Sequence, residues 1–209
     1  MSCRRDGREC HHEHLMGAVR TVSGQFWWNV SRSAGIIAWI LVSASILWGI
    51  LLATRVVSPG PKPAWLLDLH KWLGTLSLVF TGLHMAALVA DSYVTFTVVD
   101  LFVPYSATWK PAAVSLGIVS MYVLLAVQLT SLAMKRTNKV FWRRVHMSSY
   151  AVFATITLHA LLAGSDTGKR LFTAFSTSLV MVTAAVISLR LVVGRKHTKT
   201  RNTNASTGS

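Results

Sequence analysis

Charge is what this chain has least of. Only 13% of its 209 residues are charged and only seven are acidic, whereas a soluble domain carries about a quarter charged residues. The deficit is concentrated in five runs with no Asp, Glu, Lys or Arg: residues 33–54, 72–90, 111–134, 145–165 and 171–189. With no carboxylate inside any run, a carboxylate proton relay or cation pathway lacks its usual parts. A glycine-rich phosphate loop is also missing. About 16 residues follow position 193, too few for a Rossmann unit, so neither an FAD nor an NAD site is expected. Cysteine is equally scarce. Cys3 and Cys10 both fall in the polar N-terminal tail; they could be linked outside the cell or free inside it, so they fix no compartment.

What fills the space is apolar: 52% hydrophobic residues and a mean hydropathy of +0.48. Each uncharged run is 19 to 24 residues long, against the roughly 20 needed to cross the hydrocarbon core. The chain therefore reads as an all-α integral membrane bundle of five transmembrane helices. Residues 1–32 read as a polar N-terminal tail ending in Phe26, Trp27 and Trp28, aromatics suited to an interfacial belt. The tail does not resemble a cleavable signal peptide, because the first apolar run is long enough to stay as an anchor. Residues 33–193 form the membrane domain. Residues 194–209 are basic, then rich in Ser, Thr and Asn, a composition expected to be disordered. The Pro/Gly-rich segment 58–63 breaks the first two helices apart, and 91–111 reads as an interfacial stretch too short to span.

The net charge of +14 does not imply nucleic acid, because the basic residues sit in the tails and one loop as membrane flanks do. The loop between the third and fourth segments holds Lys135, Arg136, Lys139, Arg143 and Arg144, and the C-terminal flank holds Arg190, Arg195, Lys196, Lys199 and Arg201. With five helices these share a side, and the positive-inside rule places it in the cytoplasm of a plasma-membrane protein. The N-terminus is then outside, against its own Arg4, Arg5, Arg8, Arg20 and Arg32. A true start at Met16 would remove three of these, which N-terminal sequencing can test.

Four histidines lie in the second and fourth expected helices, about 66–90 and 140–164: His70 and His84, then His146 and His159. Ionisable residues at membrane depth are costly and usually functional. The two segments are separated by one helix and run parallel, so His70 matches His146 in depth and His84 matches His159. The two levels are about 20 Å apart at 1.5 Å per residue. Two b-type haems stacked across the bilayer, each with two imidazole axial ligands, would need this arrangement. Helical phase is less accommodating. His84 returns to about 40° from His70, whereas His159 falls about 140° from His146. The fourth segment must then be overwound or kinked, or its two haems must approach from different sides. Gly74, Ser149, Ala151 and Ala154 leave room for a flat macrocycle. Lys71, Arg143 and Arg144 lie at the level of the His70–His146 pair, where propionates could be neutralised, and Arg32 at the other. Each cation could equally be a snorkelling flank. The Cys10-His-His-Glu-His14 cluster could bind a transition metal or be only a polar tail.

The His-x13-His segment, followed one helix later by a His-x12-His segment, resembles the ferric reductase-like transmembrane domain. That family includes NADPH oxidases, ferric reductases and the haem subunit of bacterial methionine-sulfoxide reductase systems. The likeness runs from about residue 27 to 193. It takes in 99–105 (Val-Asp-Leu-Phe-Val-Pro-Tyr), Lys110-Pro111 and 158–167 (Leu-His-Ala-Leu-Leu-Ala-Gly-Ser-Asp-Thr). The start at 27–35 (Trp-Trp-Asn-Val-Ser-Arg-Ser-Ala-Gly) looks like short actinobacterial-type members that lack the flavin and NAD domains. The resemblance implies an inner haem on His70 and His146, an outer haem on His84 and His159, and Arg32 near the outer haem edge. Leu88 stands where oxygen-reducing members carry a further His, so superoxide production is not implied. The expected role is transmembrane electron transfer by the haem-bearing subunit of an oxidoreductase. A separate flavoprotein or quinol would donate, and an extracytoplasmic ferric chelate or redox protein would accept. The alternative is a haem-free transporter or assembly factor whose histidines bond between helices.

Overall fold

The computed structural model describes residues 7–54, 64–91, 96–164 and 170–206. Cys3, the 58–63 break and part of 158–167 lie outside them, as do the side chains of the Cys10–His14 cluster. Seven helices are present among the described residues: α1 (Gly7–Thr54), α2 (Ala64–Ala90), α3 (Val98–Phe102), α4 (Pro111–Leu132), α5 (Lys139–Met147), α6 (Ser149–Ala163) and α7 (Arg170–Ser206). Five spans are long and apolar enough to cross a membrane: Gln25–Thr54, Ala64–Ala90, Pro111–Leu132, Lys139–Ala163 and Thr173–Arg190. The protein is a multi-pass, all-helical membrane protein.

Two helix ends differ from the sequence expectation. The first helix is continuous from Gly7, and its apolar span opens at Gln25, ahead of Ser33. Phe26, Trp27, Trp28 and Val30 extend the apolar stretch, and one Arg does not stop it. At the other end α7 continues through 194 to Ser206; once a helix is nucleated, each further residue adds a hydrogen bond at little cost.

α1 packs most extensively on α2, and α4 on α6, with α7 against α1. The central core joins Val42, Ile46 and Ile50 of α1 to Leu124 of α4 and Val152 and Phe153 of α6. Polar side chains stitch the same helices where lipid offers no competing partner. The Trp39 indole donates to Thr157 Oγ1 at 3.1 Å, and the Ser120 and Thr155 hydroxyls lie 2.7 Å apart. Large apolar side chains such as Val79, Leu129, Met181 and Leu189 face outward, as a lipid-bathed bundle requires.

The fourth span is where helical phase had to give. α5 and α6 meet at Ser148, whose N–H bonds Val145 O, three residues back, at 3.1 Å. The Ser148 hydroxyl bonds the same carbonyl at 2.5 Å. Regular α bonding resumes with Val152 N–H to Ser148 O at 2.9 Å. A three-residue bond tightens the turn. It therefore advances the azimuth in the direction by which thirteen ordinary helical steps fall short.

Candidate functional site

The bundle brings the four histidines together in two pairs. The rings of His70 (α2) and His146 (α5) have centroids 6.0 Å apart at an interplanar angle of 70°. Those of His84 (α2) and His159 (α6) are 6.4 Å apart at 79°. The pairing by depth that parallel helices imply is the pairing in the structure. No cluster of three or more His, Cys, Asp or Glu side chains forms among the described residues. Each level thus offers two imidazoles to a metal, too few for a site built from protein ligands alone.

Hydrogen bonding decides which ring nitrogen is free. His84 Nδ1 lies 2.8 Å from Ser31 O, and His159 Nδ1 lies 2.7 Å from Ala113 O. A carbonyl can only accept, so both rings carry their proton on Nδ1 and leave Nε2 bare, the tautomer a metal ligand needs. At the other level His70 Nδ1 is 3.3 Å from Ser45 Oγ, and His146 Nδ1 is 3.4 Å from Ser131 Oγ. Trp142 stacks on the His146 ring, with centroids 5.1 Å apart at 23°. Among the described residues its buried indole nitrogen has no hydrogen-bond partner, an orphan donor of the kind that calls for an explanation.

Sequence reasoning missed the residues that make room for the rings. A Cβ on Gly35 would come within 3.0 Å of His84, on Gly49 within 3.0 Å of His70, and on Gly117 within 2.9 Å of His159. A readable signal existed: Ser31/Gly35 and Ser45/Gly49 repeat fourteen residues apart on α1, the same interval as His70 and His84 on the antiparallel α2. Gly74 serves a different purpose from the one expected. The Gln128 side-chain amide sits 2.9 Å from where its Cβ would be, so that space holds an amide and is not open to a macrocycle.

Of the expected cations, Arg32 is half-buried and lines a cavity of about 210 Å³ with His84, His159, Trp39 and Met121. Lys71 pairs with Asp68 at 2.9 Å on the surface, an exposed contact worth little by itself. Arg143 and Arg144 are exposed. Arg190, read from sequence only as a flank, lies within electrostatic reach of His146.

Phe96, Leu101 and Trp109, between α2 and α4, also line this cavity. Phe96, Leu101 and Ala107 form a small core with Met85, Leu88, Trp109 and Val114. Thr97 and Asp100 cap α3 reciprocally: Thr97 N–H donates to Asp100 Oδ2 at 2.9 Å, and Asp100 N–H to Thr97 Oγ1 at 3.4 Å. The Thr97 N–H foremost, and the Thr97 hydroxyl that donates to the same Oδ2 at 2.8 Å, hold the Asp100 carboxyl below the usual carboxylate range. Two non-glycine residues here have left-handed backbones, Tyr105 (φ 66°) and Lys110 (φ 43°), conformations that L-residues adopt only when held. Tyr105 N–H is held by Ser115 Oγ at 2.7 Å. Lys110 Nζ reaches Leu162 O at 2.7 Å and lies over the Trp109 ring.

With the fold and the histidine pairs in place, family comparison becomes informative. The chain matches the family described as ferric reductase like transmembrane component over residues 34–157. It belongs to that family. The matched stretch holds His70, His84 and His146 and stops two residues before His159. Neither curated proteins nor solved structures give a match. Family membership indicates transmembrane electron transfer in general, in a membrane domain that acts with redox partners.

Proposed function

We propose that this chain is a di-haem b electron-transfer subunit. His70 and His146 would hold the inner haem iron, and His84 and His159 the outer one. The observation that carries this is the ring separation within each pair, 6.0 and 6.4 Å. An imidazole–metal bond is about 2 Å and the ring centre lies about 1 Å behind the nitrogen. Two imidazoles on opposite faces of one metal ion therefore sit about 6 Å apart. Only two protein ligands per level suits a metal that brings its own equatorial nitrogens. The Nδ1 bonds to Ser31 and Ala113 carbonyls orient two of the four rings and present Nε2. Glycines 35, 49 and 117 let neighbouring helices approach the rings. The indole N–H of Trp142 is a donor available to a haem carboxylate.

Bound haem supplies the reversible one-electron couple; the chain supplies ligands, spacing and a dry interior. Electrons enter on the side of the basic loop that carries Arg143 and Arg144, where Lys71 also lies. By the positive-inside rule that side is cytoplasmic. A separate flavoprotein or quinol is the donor. They leave on the side of Arg32, beneath the 96–110 segment, to an extracytoplasmic ferric chelate or redox protein. Leu88 is committed to the apolar packing of that segment, which favours an acceptor other than oxygen.

The test is a pyridine-haem spectrum with a quantitative protein assay on detergent-purified protein, beside His84→Ala and His146→Ala. Close to two haems b per chain, with each variant losing roughly one, is the expected result. Folded, stable protein without haem from a haem-replete host would reject the reading and turn attention to transport.

A further inference from the structure

The four histidines are not held alike. His84 and His159 each give Nδ1–H to a main-chain carbonyl, Ser31 O at 2.8 Å and Ala113 O at 2.7 Å. His70 Nδ1 instead faces a side chain, the Ser45 hydroxyl at 3.3 Å. His146 Nδ1 is likewise met, among the described residues, by a side chain, the Ser131 hydroxyl at 3.4 Å. That hydroxyl has one proton, and it is directed to Val127 O, one turn back on α4, at 2.7 Å. With its proton so placed, Ser131 Oγ can only accept from the imidazole.

We propose that Ser131 is the positioning residue of the His70–His146 level. By accepting from Nδ1–H it keeps the His146 proton on Nδ1, leaves Nε2 bare, and sets the basicity of that one ligand. The idea rests on the di-haem reading above and deepens it. At His84 and His159 the backbone does this task, and no substitution removes a backbone carbonyl. At His146 one side-chain oxygen carries it. An acceptor on the distal nitrogen raises the basicity of a metal-bound imidazole and so favours the oxidised metal. Loss of the Ser131 hydroxyl therefore moves one of the two midpoint potentials upward. The ring itself stays in place, braced by Trp142.

The Ser31 hydroxyl makes the contrast. It also lies near an imidazole, 3.1 Å from His84 Nδ1, but the Ser31 carbonyl remains when the hydroxyl is removed. Ser131→Ala and Ser31→Ala thus delete the same chemical group beside two different histidines, and the two variants should behave differently.

The experiment is a spectroscopic redox titration of purified wild type, Ser131→Ala, Ser131→Thr and Ser31→Ala, with haem-to-protein ratios for each. Ser131→Ala should keep two haems per chain and shift one midpoint positive, the component that His146→Ala loses. Ser131→Thr, which keeps a hydroxyl able to bond one turn back, should restore it. Ser31→Ala should titrate close to wild type. Unshifted midpoints in Ser131→Ala at full haem content would overturn the proposal, as would a shift in Ser31→Ala as large as that in Ser131→Ala. A wild type carrying fewer than two haems would instead overturn the di-haem reading, and this inference with it.

Discussion

Gly117 lies against the face of the His159 ring so closely that a Cβ there would be 2.9 Å from both Nδ1 and Cε1. The ring has little freedom to retreat, because its Nδ1 is bonded to Ala113 O on the same helix. Gly117→Val should therefore expel His159 from its position and leave about one haem per chain. The overpacking should cost about 1–3 kcal/mol in stability. Gly82, with nothing among the described residues within 4 Å of its would-be Cβ, is the control. Gly82→Ala should keep both haems and gain up to about 1 kcal/mol of helix propensity. Haem-to-protein ratios and thermal unfolding in detergent read both variants. Full haem content in Gly117→Val would show that the ring position is not what holds the cofactor.

Much of this was legible in the sequence, for definite reasons. The five spans follow from uncharged runs as long as a bilayer is thick. The partner of each histidine follows from parallel helices and equal depth. Helical phase left either an overwound fourth segment or two different approaches to its histidines; the tightened turn at Ser148 could not be placed from sequence, because a Ser hydroxyl bonding back to Val145 O is one local option among several. Gly74 was misread. It is small, as a site for a flat ligand would be, but smallness does not say what fills the space, and in the structure Gln128 does. Ser131 was invisible because its role depends on α4 facing α5 at one particular rotation. The sequence does not show where the apolar span of α1 begins, because a single Arg32, half-buried beside the cavity, interrupts the apolar stretch without ending it.

The 96–110 segment should loosen in acid. Thr97 holds the Asp100 carboxyl below its ordinary range, so the charged form is favoured in the folded segment. For a carboxyl lowered in this way, the stabilisation is fully present above its unfolded value and is lost as pH falls through the lower, folded one. The protection of the 97–103 amides, taken as exchange relative to the intrinsic rate at each pH, should therefore be high near neutral pH and fall only below the ordinary Asp range. Asp100→Asn should exchange faster at neutral pH and lose most of that dependence. Identical exchange profiles for the two proteins would remove the capping box from the account.

Lys110 separates backbone strain from side-chain anchoring. Its left-handed backbone opens α4 immediately before Pro111, and its ammonium group bonds Leu162 O in the last turn of α6. Lys110→Ala keeps the unfavourable backbone, which costs an L-residue about 1–2 kcal/mol, and discards the anchor. Lys110→Gly discards the anchor but relieves the backbone. Stability should fall in the order wild type, Lys110→Gly, Lys110→Ala. Trp109, which lines the cavity beneath, should report the opening by a red-shifted emission in the same order. An alanine variant as stable as the glycine variant would mean that the backbone there is not strained.

The phase of the fourth span gives the sharpest geometric test, because the two levels share one helix pair and can be uncoupled by a single residue. Inserting one alanine between Thr155 and Ile156 leaves His146 and the Ser148 turn untouched. It rotates everything beyond by about 100° and moves it about 1.5 Å along the axis. His159 then faces away from His84, and its Nδ1 loses Ala113 O. The insertion also breaks the bonds from Trp39 to Thr157 and from Lys110 to Leu162 O, interhelical contacts worth about 0.6 kcal/mol each in a membrane, so thermal unfolding in detergent is read beside haem content. The expected product is a folded protein with about one haem, whose midpoint matches the component retained by His84→Ala. If it kept both haems, α6 would have to rewind within its own length to restore the pairing. The overwound turn at Ser148 would then be incidental to how His146 and His159 reach their partners.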